Sequence, residues 1–515
     1  MRSSMRPGWT RPNSLWLVPL LAAGVAIAQP AAPDLTDLHL MVTPRTDAER
    51  DRIASVVAPT TDFTAPEPFE DKPGGAGTVR AMTTADAFSQ PSANVGFDGE
   101  LSFRVGNGLF RKLWVQAPTS TQASDGLGPF YNARACQSCH IKDGRGHPPE
   151  SAEDDAVSIF LRVSVPGGEA PMGIAGWHPT QPDPVYGGQL QDFATNGLRA
   201  EYRFDVTYTE EPVFLSGGET AVLRVPTYTA ADLGYGPLDP GAMLSPRVAP
   251  QMIGLGLVEA IPAEDILAHA DPDDLDGDGI SGRASIVPSL EFGAPMLGRF
   301  GWKAGTPTVR QQSADAFAGD IGISTPLHLD PWGDCTGAQA DCRAAPMGDG
   351  DARGTEADAE ALDLVAFYSR NLAVPARRDI DDPQVLRGKE VFYDTGCISC
   401  HVPKFVTARL EEGNAQSFQL IWPYSDFLLH DMGPGLADNR PEGVADGQEW
   451  RTAPLWGTAL NGQVTGAETY LHDGRARSLL EAVLWHGGEA EAQREAVVAM
   501  PPADRAALIR YLESL

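Results

Sequence analysis

The sequence predicts a mainly α chain made of two similar halves, the first carrying a large insertion with a small antiparallel β-sheet. Three observations predict this fold. The run Cys136-Gln137-Ser138-Cys139-His140 recurs in pattern as Cys397-Ile398-Ser399-Cys400-His401. Each copy follows a short amphipathic helical segment, and each half closes on another. Between the copies lie segments of strict apolar alternation, the signature of half-buried strands.

The chain begins with Arg2, Arg6 and Arg11, an apolar run from Leu15 to Ala28, and Ala26-Ile27-Ala28 before Gln29. This is the charged, apolar and small-residue pattern of a secretory signal over residues 1–28, cleaved after Ala28. An uncleaved anchor is the alternative. The run is shorter than the about 20 residues needed to cross a bilayer, and no later stretch is long enough. A soluble periplasmic protein that does not span the membrane is therefore expected. Residues 29–95, rich in Pro, Ala, Thr and Gly, show no sustained periodicity and read as an extended N-terminal segment draped over the surface.

The first half is placed at 96–376. Gly106, Phe110 and Trp114 recur every four residues, which puts them on one helical face ahead of the first Cys pair. Asp125-Gly126-Leu127-Gly128-Pro129 reads as a turn delivering Phe130-Tyr131-Asn132 and then the pair. Val157, Ile159, Leu161, Val163 and Val165 alternate, as do Tyr202, Phe204, Val206 and Tyr208, and Ala221, Leu223 and Val225; these are the expected strands. Thr355-Glu356-Ala357-Asp358 has the form of a helix start, and the helix runs through Leu362, Val365, Ser369 and Leu372 to stop before Pro375. Residues 374–382, rich in Pro and charge, are the expected boundary.

The second half, 381–515, opens with an amphipathic helix over Val385 to Phe392 and ends with a helix through Leu508, Ile509, Leu512 and Leu515. Gly388 would let the two approach closely. A helix before the Cys-x-x-Cys-His run packed on a helix at the end resembles the c-type cytochrome fold. The expectation is thus two cytochrome c-like domains, the first with the β-containing insertion.

In a Cys-x-x-Cys-His run both thiols can form thioethers with porphyrin vinyl groups, and the adjacent imidazole is held under the iron. A zinc site, a dithiol redox centre or a helical Cys pair without cofactor would compete for a single match. Two matches in an exported chain favour two covalently bound haem c groups, held by Cys136, Cys139 and His140, and by Cys397, Cys400 and His401. The remaining cysteines, Cys335 and Cys342, are expected to form a disulfide in an oxidising compartment; a redox-active thiol pair is the alternative. A formal net charge of −30 repels phosphate backbones and argues against nucleic acid. It would steer in a basic partner, such as a small electron-carrying c-type cytochrome or cupredoxin.

Two further stretches carry candidate chemistry. Asp273-Asp274-Leu275-Asp276-Gly277-Asp278-Gly279-Ile280 spaces oxygen ligands at alternate positions with Gly at a sharp turn, which suits calcium bound by Asp274, Asp276, Asp278 and the Ile280 carbonyl. Ser285 stands where a full EF-hand loop has Glu, so the match is partial and a solvated acidic turn is the alternative. The apolar run Met252 to Val258 ends in Glu259, followed by Pro262 opening a short helix. An isolated carboxylate there would have a raised pKa if buried, which makes Glu259 the candidate group for moving a proton between peroxide oxygens. A capping or salt-bridging Glu is the alternative.

Several motifs together resemble the bacterial di-haem oxidoreductases of peroxidase type. They are Gly126-Leu127-Gly128-Pro129, Lys142-Asp143-Gly144-Arg145-Gly146, Arg299-Phe300-Gly301-Trp302-Lys303-Ala304-Gly305, and His430-Asp431-Met432-Gly433-Pro434-Gly435-Leu436. The resemblance covers residues 95–515. Trp450-Arg451-Thr452-Ala453-Pro454-Leu455-Trp456-Gly457 and Tyr470-Leu471-His472-Asp473-Gly474, followed by Leu480-Glu481-Ala482-Val483, are similar to the di-haem cytochrome c peroxidases and to the di-haem enzyme that matures the tryptophan-derived cofactor of methylamine dehydrogenase. Those peroxidases have far fewer residues between their motifs, so the resemblance does not map their active-site loop onto the insertion.

The resemblance implies a peroxidase-like oxidoreductase with electrons entering at the C-terminal haem and chemistry at the N-terminal one. Spacing alone leaves His430, Met432, His472 and His486 open as sixth ligand of the second haem. The resemblance selects His486, which stands where the di-haem peroxidases carry their ligating Met. For the first haem, His147 and His178 are weak candidates, which leaves that site open for chemistry. A pure electron-transfer cytochrome, an oxidase acting on a protein or organic substrate, and a dithiol oxidoreductase are the competing classes.

Overall fold

Gly106 and Gly388 set the two helix contacts on which the rest is built. The helix Gly96–Phe110 packs on Ala359–Arg370 so closely that a Cβ on Gly106 would lie 2.2 Å from the Leu364 carbonyl oxygen. The helix Pro383–Asp394 packs on Pro502–Ser514 in the same way, with a Gly388 Cβ falling 1.9 Å from the Ala507 oxygen. Four residues on from each Gly stands a Phe, and four on from each carbonyl stands a Tyr. Their rings meet at 5.1 Å for Phe110 and Tyr368 and at 5.3 Å for Phe392 and Tyr511. Only hydrogen fits at these two glycine positions, so one packing unit occurs twice.

The computed structural model describes residues 35–120, 124–150, 154, 158–348 and 354–515. The secretory signal at 1–28, its cleavage point and Val157 lie outside them. Leu35–Leu515 form one compact unit. One of its two large apolar cores draws Phe88 from the N-terminal segment, Ile253, Leu257, Phe300 and Val309 from the first half and Phe405, Ile421, Phe427 and Trp456 from the second.

The mainly α expectation of two cytochrome c-like domains is corrected. Helix accounts for 31% and strand for 18% of the described residues, with the strands in seven small sheets among them. The physical reason is the 54 Gly and 43 Pro, which end helices early and favour turns and extended segments. The helix carrying Gly106 stops at Phe110, and Trp114 follows in extended chain, buried, its N–H bonded to the Arg134 carbonyl at 2.9 Å. The closing helix of the first half is capped by Asp358, whose carboxylate accepts the Ala361 N–H at 2.9 Å, rather than by Thr355.

The insertion holds several small β-structures rather than one sheet, among them the antiparallel pair Ile286–Ser289 and Ala294–Leu297. Ile159–Pro166 pairs antiparallel with Met243–Val248, with Ile159 opposite Val248, and with the short strands Thr180–Gln181 and Gln189–Leu190. Arg203–Phe214 and Thr220–Ala231 make a separate hairpin. That hairpin lies against the second half: Arg224 donates to the Gly474 carbonyl at 2.9 Å, Tyr228 donates to Asp473 at 3.0 Å, and Glu219 pairs with Arg505 at 2.9 Å. Cys335 and Cys342 are disulfide-bonded.

The N-terminal segment is more than a surface drape. Asp47–Val57 is a helix with a Thr46–Glu49 capping box. Phe88 is fully buried, and so is Glu70, which pairs with Arg377 and with Lys389 at 2.8 Å. Removing Glu70 would leave the buried Arg377 without its carboxylate, while Lys389 would keep Glu67 at 2.9 Å.

Candidate functional site

Each Cys-x-x-Cys-His run places its histidine by the same two contacts. His140 lies 6.1 Å from the Phe110 ring, and its Nδ1 is 2.8 Å from the Pro250 carbonyl oxygen. His401 lies 6.2 Å from Phe392, with Nδ1 2.8 Å from the Tyr424 carbonyl. A carbonyl only accepts, so Nδ1 carries the proton in both and Nε2 keeps its lone pair. Burial pushes both imidazoles down to about 4, which holds them in the neutral, metal-ligating form. A carbonyl on the far nitrogen is also what orients a ligating histidine.

Both runs open on one cavity of about 480 Å³, lined by all four motif cysteines and by His140, His401, His430, His472 and His486. None of the four cysteines is in a disulfide. Burial drives Cys136 and Cys397 up to about 12 and raises Cys139 and Cys400. A reactive dithiol has a lowered pKa, and these thiols are shifted the other way. Protonated thiols in pairs, each pair beside a neutral imidazole at an apolar cavity, fit two haems with cysteine attachment.

The family model described as "Di-haem oxidoreductase, putative peroxidase" matches residues 69–233 and 238–515. The chain belongs to this di-haem oxidoreductase family. It is an oxidoreductase of a haem-containing class. No curated protein sequence matches it.

With the di-haem oxidoreductase family in hand, the histidines sort by geometry. His486 follows the helix Leu479–Leu484 rather than ending it, and its Nδ1 is bonded to the Ala482 carbonyl at 2.8 Å. Nε2 is thus its free nitrogen, and burial lowers its pKa. His430 is clamped on both nitrogens, by Asp426 at 2.8 Å and Glu489 at 2.7 Å. Burial alone would lower its pKa, but these bonds outweigh it and hold the ring protonated, unfit to ligate. Met432 lines the cavity. His472 is stacked on Trp450 at 3.7 Å, its Nε2 buried without a hydrogen-bond partner, and burial brings it down to about 3. His147 and His178 lie away from the cavity lining.

Glu259 does not have the predicted property. It is buried, but it ion-pairs with Arg370 and accepts the Val309 N–H at 2.7 Å. Burial would raise its pKa; Arg370 outweighs that and holds it below the usual carboxylate value. The side chain is outside the cavity lining.

Among the described residues three side-chain carboxyls line the cavity, Asp315, Asp320 and Glu442; Asp315 pairs with His328 and Glu442 with Arg247 and Arg440, which leaves Asp320, on the π-helix Phe317–Ile321. Its charge acts on both Cys136 and Cys139. Its Oδ1 accepts the Gln189 amide at 2.8 Å, and burial raises its pKa. Sequence spacing carried no signal for it, because the wider i→i+5 turn that aims it is a tertiary feature.

In the acidic loop the structure gathers carboxylate oxygens of Asp271, Asp274 and Asp276 within 4.8 Å of one another. Asp278 is not part of that cluster; like Asp274 and Asp276 it accepts a backbone N–H of the loop, that of Ile280 at 2.9 Å. The next residue, Ser281, bonds through its backbone and hydroxyl to Glu489, the carboxylate that clamps His430. Among the described residues no helix is long and apolar enough to cross a membrane.

Proposed function

We propose that this protein is a periplasmic di-haem c-type oxidoreductase of peroxidase type. One observation carries the reading: two imidazoles, each tethered through Nδ1 to a carbonyl, share one cavity with the four motif cysteines, none of them in a disulfide. Cys136 and Cys139 would attach one haem and Cys397 and Cys400 the other, with His140 and His401 as axial ligands through Nε2. When bound, the two haems supply one-electron redox chemistry, the second as the site of electron entry and the first as the site open to peroxide. His486 faces the second site with a free Nε2, and His430 is kept out of competition by its carboxylate clamp. Asp320 takes the proton-moving role better than Glu259, since it faces the cavity with a raised pKa and no cationic partner bonded to it.

Periplasmic location is supported by the apolar run Leu15 to Ala28 and its flanking residues. A small basic electron carrier, a c-type cytochrome or a cupredoxin, is the donor class that the net charge of −30 suits. Calcium at Asp271, Asp274 and Asp276 belongs to the same reading.

The test combines three measurements on the purified protein. A pyridine haemochrome assay should find two covalent haems per chain; spectra should show one high-spin and one low-spin site; and the half-reduced protein should consume peroxide. Absence of covalent haem sinks the reading. A second reading has one observation in its favour, the buried Nε2 of His472, which makes no hydrogen bond and lies 3.5 Å from Asp473. If that nitrogen completes the first site, both haems are low-spin and the protein is an electron-transfer cytochrome.

A further inference from the structure

The buried arginines of this protein pair with carboxylates almost everywhere. Arg377 meets Glu70, Arg475 meets Asp473, Arg299 meets Asp37, and Arg247 meets Asp438 and Glu442. Two that line the cavity, the buried Arg145 and the half-buried Arg451, do not. Arg145, five residues beyond His140 and 7% exposed, donates to the Leu471 carbonyl, and its Nε is buried without a partner. Arg451 donates only to carbonyls, those of Gly301 at 3.0 Å and Thr452 at 2.9 Å. Among the described residues neither has a carboxylate within ion-pair distance. The carboxylates whose charge reaches them are engaged elsewhere, Asp473 by Arg475 and Asp426 by His430.

Both sit on one short stretch of chain. The Arg145 guanidinium lies 5.6 Å from the centre of the Trp302 ring, and the Arg451 N–H donates to the Trp302 carbonyl at 2.9 Å. Arg145 is close in sequence to the first run. Arg451 neighbours Thr452, whose carbonyl accepts the Ser425 hydroxyl at 2.7 Å next to the Tyr424 carbonyl that holds His401. A buried charge facing only carbonyl dipoles is costly, and burial accordingly brings both guanidiniums down to about 10. Stem packing would account for one such residue. Two, at one cavity and on either side of Gly301-Trp302, call for anions that occupy the cavity.

We propose that Arg145 and Arg451 form a carboxylate-binding cradle that receives haem propionates, Arg145 for the first haem and Arg451 for the second. This rests on the di-haem reading above. A guanidinium presents parallel donors that match a carboxylate and keep it ionised in a dry site. Pairing also cancels negative charge near the iron, which favours the reduced state and raises the reduction potential.

The experiment uses the full-length protein with Arg145→Met, Arg145→Lys, Arg451→Met and Arg451→Lys, counting haems by pyridine haemochrome and measuring both potentials by spectroelectrochemistry. Each Met variant should keep two haems and lower one potential only, the first for Arg145 and the second for Arg451, with Lys recovering part of the shift. If a Met variant does not fold or load, its Lys partner carries the test through the propionate bending mode in resonance Raman, which should shift from the wild-type position. Two retained haems with unchanged potentials in both Met variants, or an unchanged propionate mode in both Lys variants, overturns the cradle. So does a wild-type potential that moves on adding acetate or inorganic phosphate, since the guanidiniums would then be holding a free anion. A wild-type protein without covalent haem overturns the di-haem reading itself, and the cradle with it.

Discussion

Gly388 lies against Ala507 so closely that a Cβ added to the glycine would stand 1.9 Å from the alanine carbonyl oxygen. The two helices behind the second Cys-x-x-Cys-His run can approach this way only because position 388 has no side chain. Gly388→Ala should therefore push Pro383–Asp394 off Pro502–Ser514 and destabilise the protein by about 2–3 kcal/mol, the usual cost of overpacking a tight contact. Gly106→Ala should act likewise, its Cβ falling 2.2 Å from the Leu364 oxygen. Urea titration of both variants checks this, and wild-type midpoints would refute it.

Glu259 and Asp320 make opposite predictions. Glu259→Gln should cost about 2–4 kcal/mol, because it leaves Arg370 without its anion, and should leave peroxide turnover in place. Asp320→Asn should keep both haem spectra and lose turnover by about 10²-fold, the usual share of a general acid–base group. A Glu259→Gln variant that is stable but inactive would reverse the assignment.

His486→Ala should convert the second haem from low-spin to high-spin. The Nδ1 bond to Ala482 leaves only Nε2 to ligate, and alanine removes it. An unchanged low-spin spectrum would move the ligand to Met432, which lines the same cavity.

Glu201 gives stability a pH dependence. Burial pushes its carboxyl up from 4.5 to about 8, against the Gln191 N–H and Gln339 amide that bond it, with Asp334 and Asp183 adding to the rise. Between those two values the folded protein holds a proton that the unfolded chain has released. Stability should thus fall as pH rises through this window and level off above it. Glu201→Gln should flatten that slope in urea titrations from pH 5 to 9; an unaltered slope would count against it.

Calcium should raise the melting temperature relative to chelator if Asp271, Asp274 and Asp276 hold it. At a hundred times its dissociation constant the ion contributes about 2.7 kcal/mol. Asp274→Asn together with Asp276→Asn should abolish the difference. Equal melting temperatures in wild type would remove the site.

What the sequence by itself determined was local or motif-bound. The alternation around Ile159 to Val165 and 220–231, the helix over 383–394 with its glycine, and membership of the di-haem oxidoreductase family were all legible, because neighbouring residues and fixed spacings encode them. The balance of helix and strand was not, since Gly and Pro shorten elements by amounts that no periodicity reports. Nor was the charge of Glu259: an apolar run predicts burial, but Arg370, 111 residues away, decides the carboxyl's state. The carbonyls of Pro250 and Tyr424, the clamp on His430 and the unpaired guanidiniums of Arg145 and Arg451 likewise exist only once distant segments meet. Spacing along a chain states which face is apolar. Which charge or dipole stands opposite that face is settled by tertiary packing, and in a buried site that neighbour sets the chemistry.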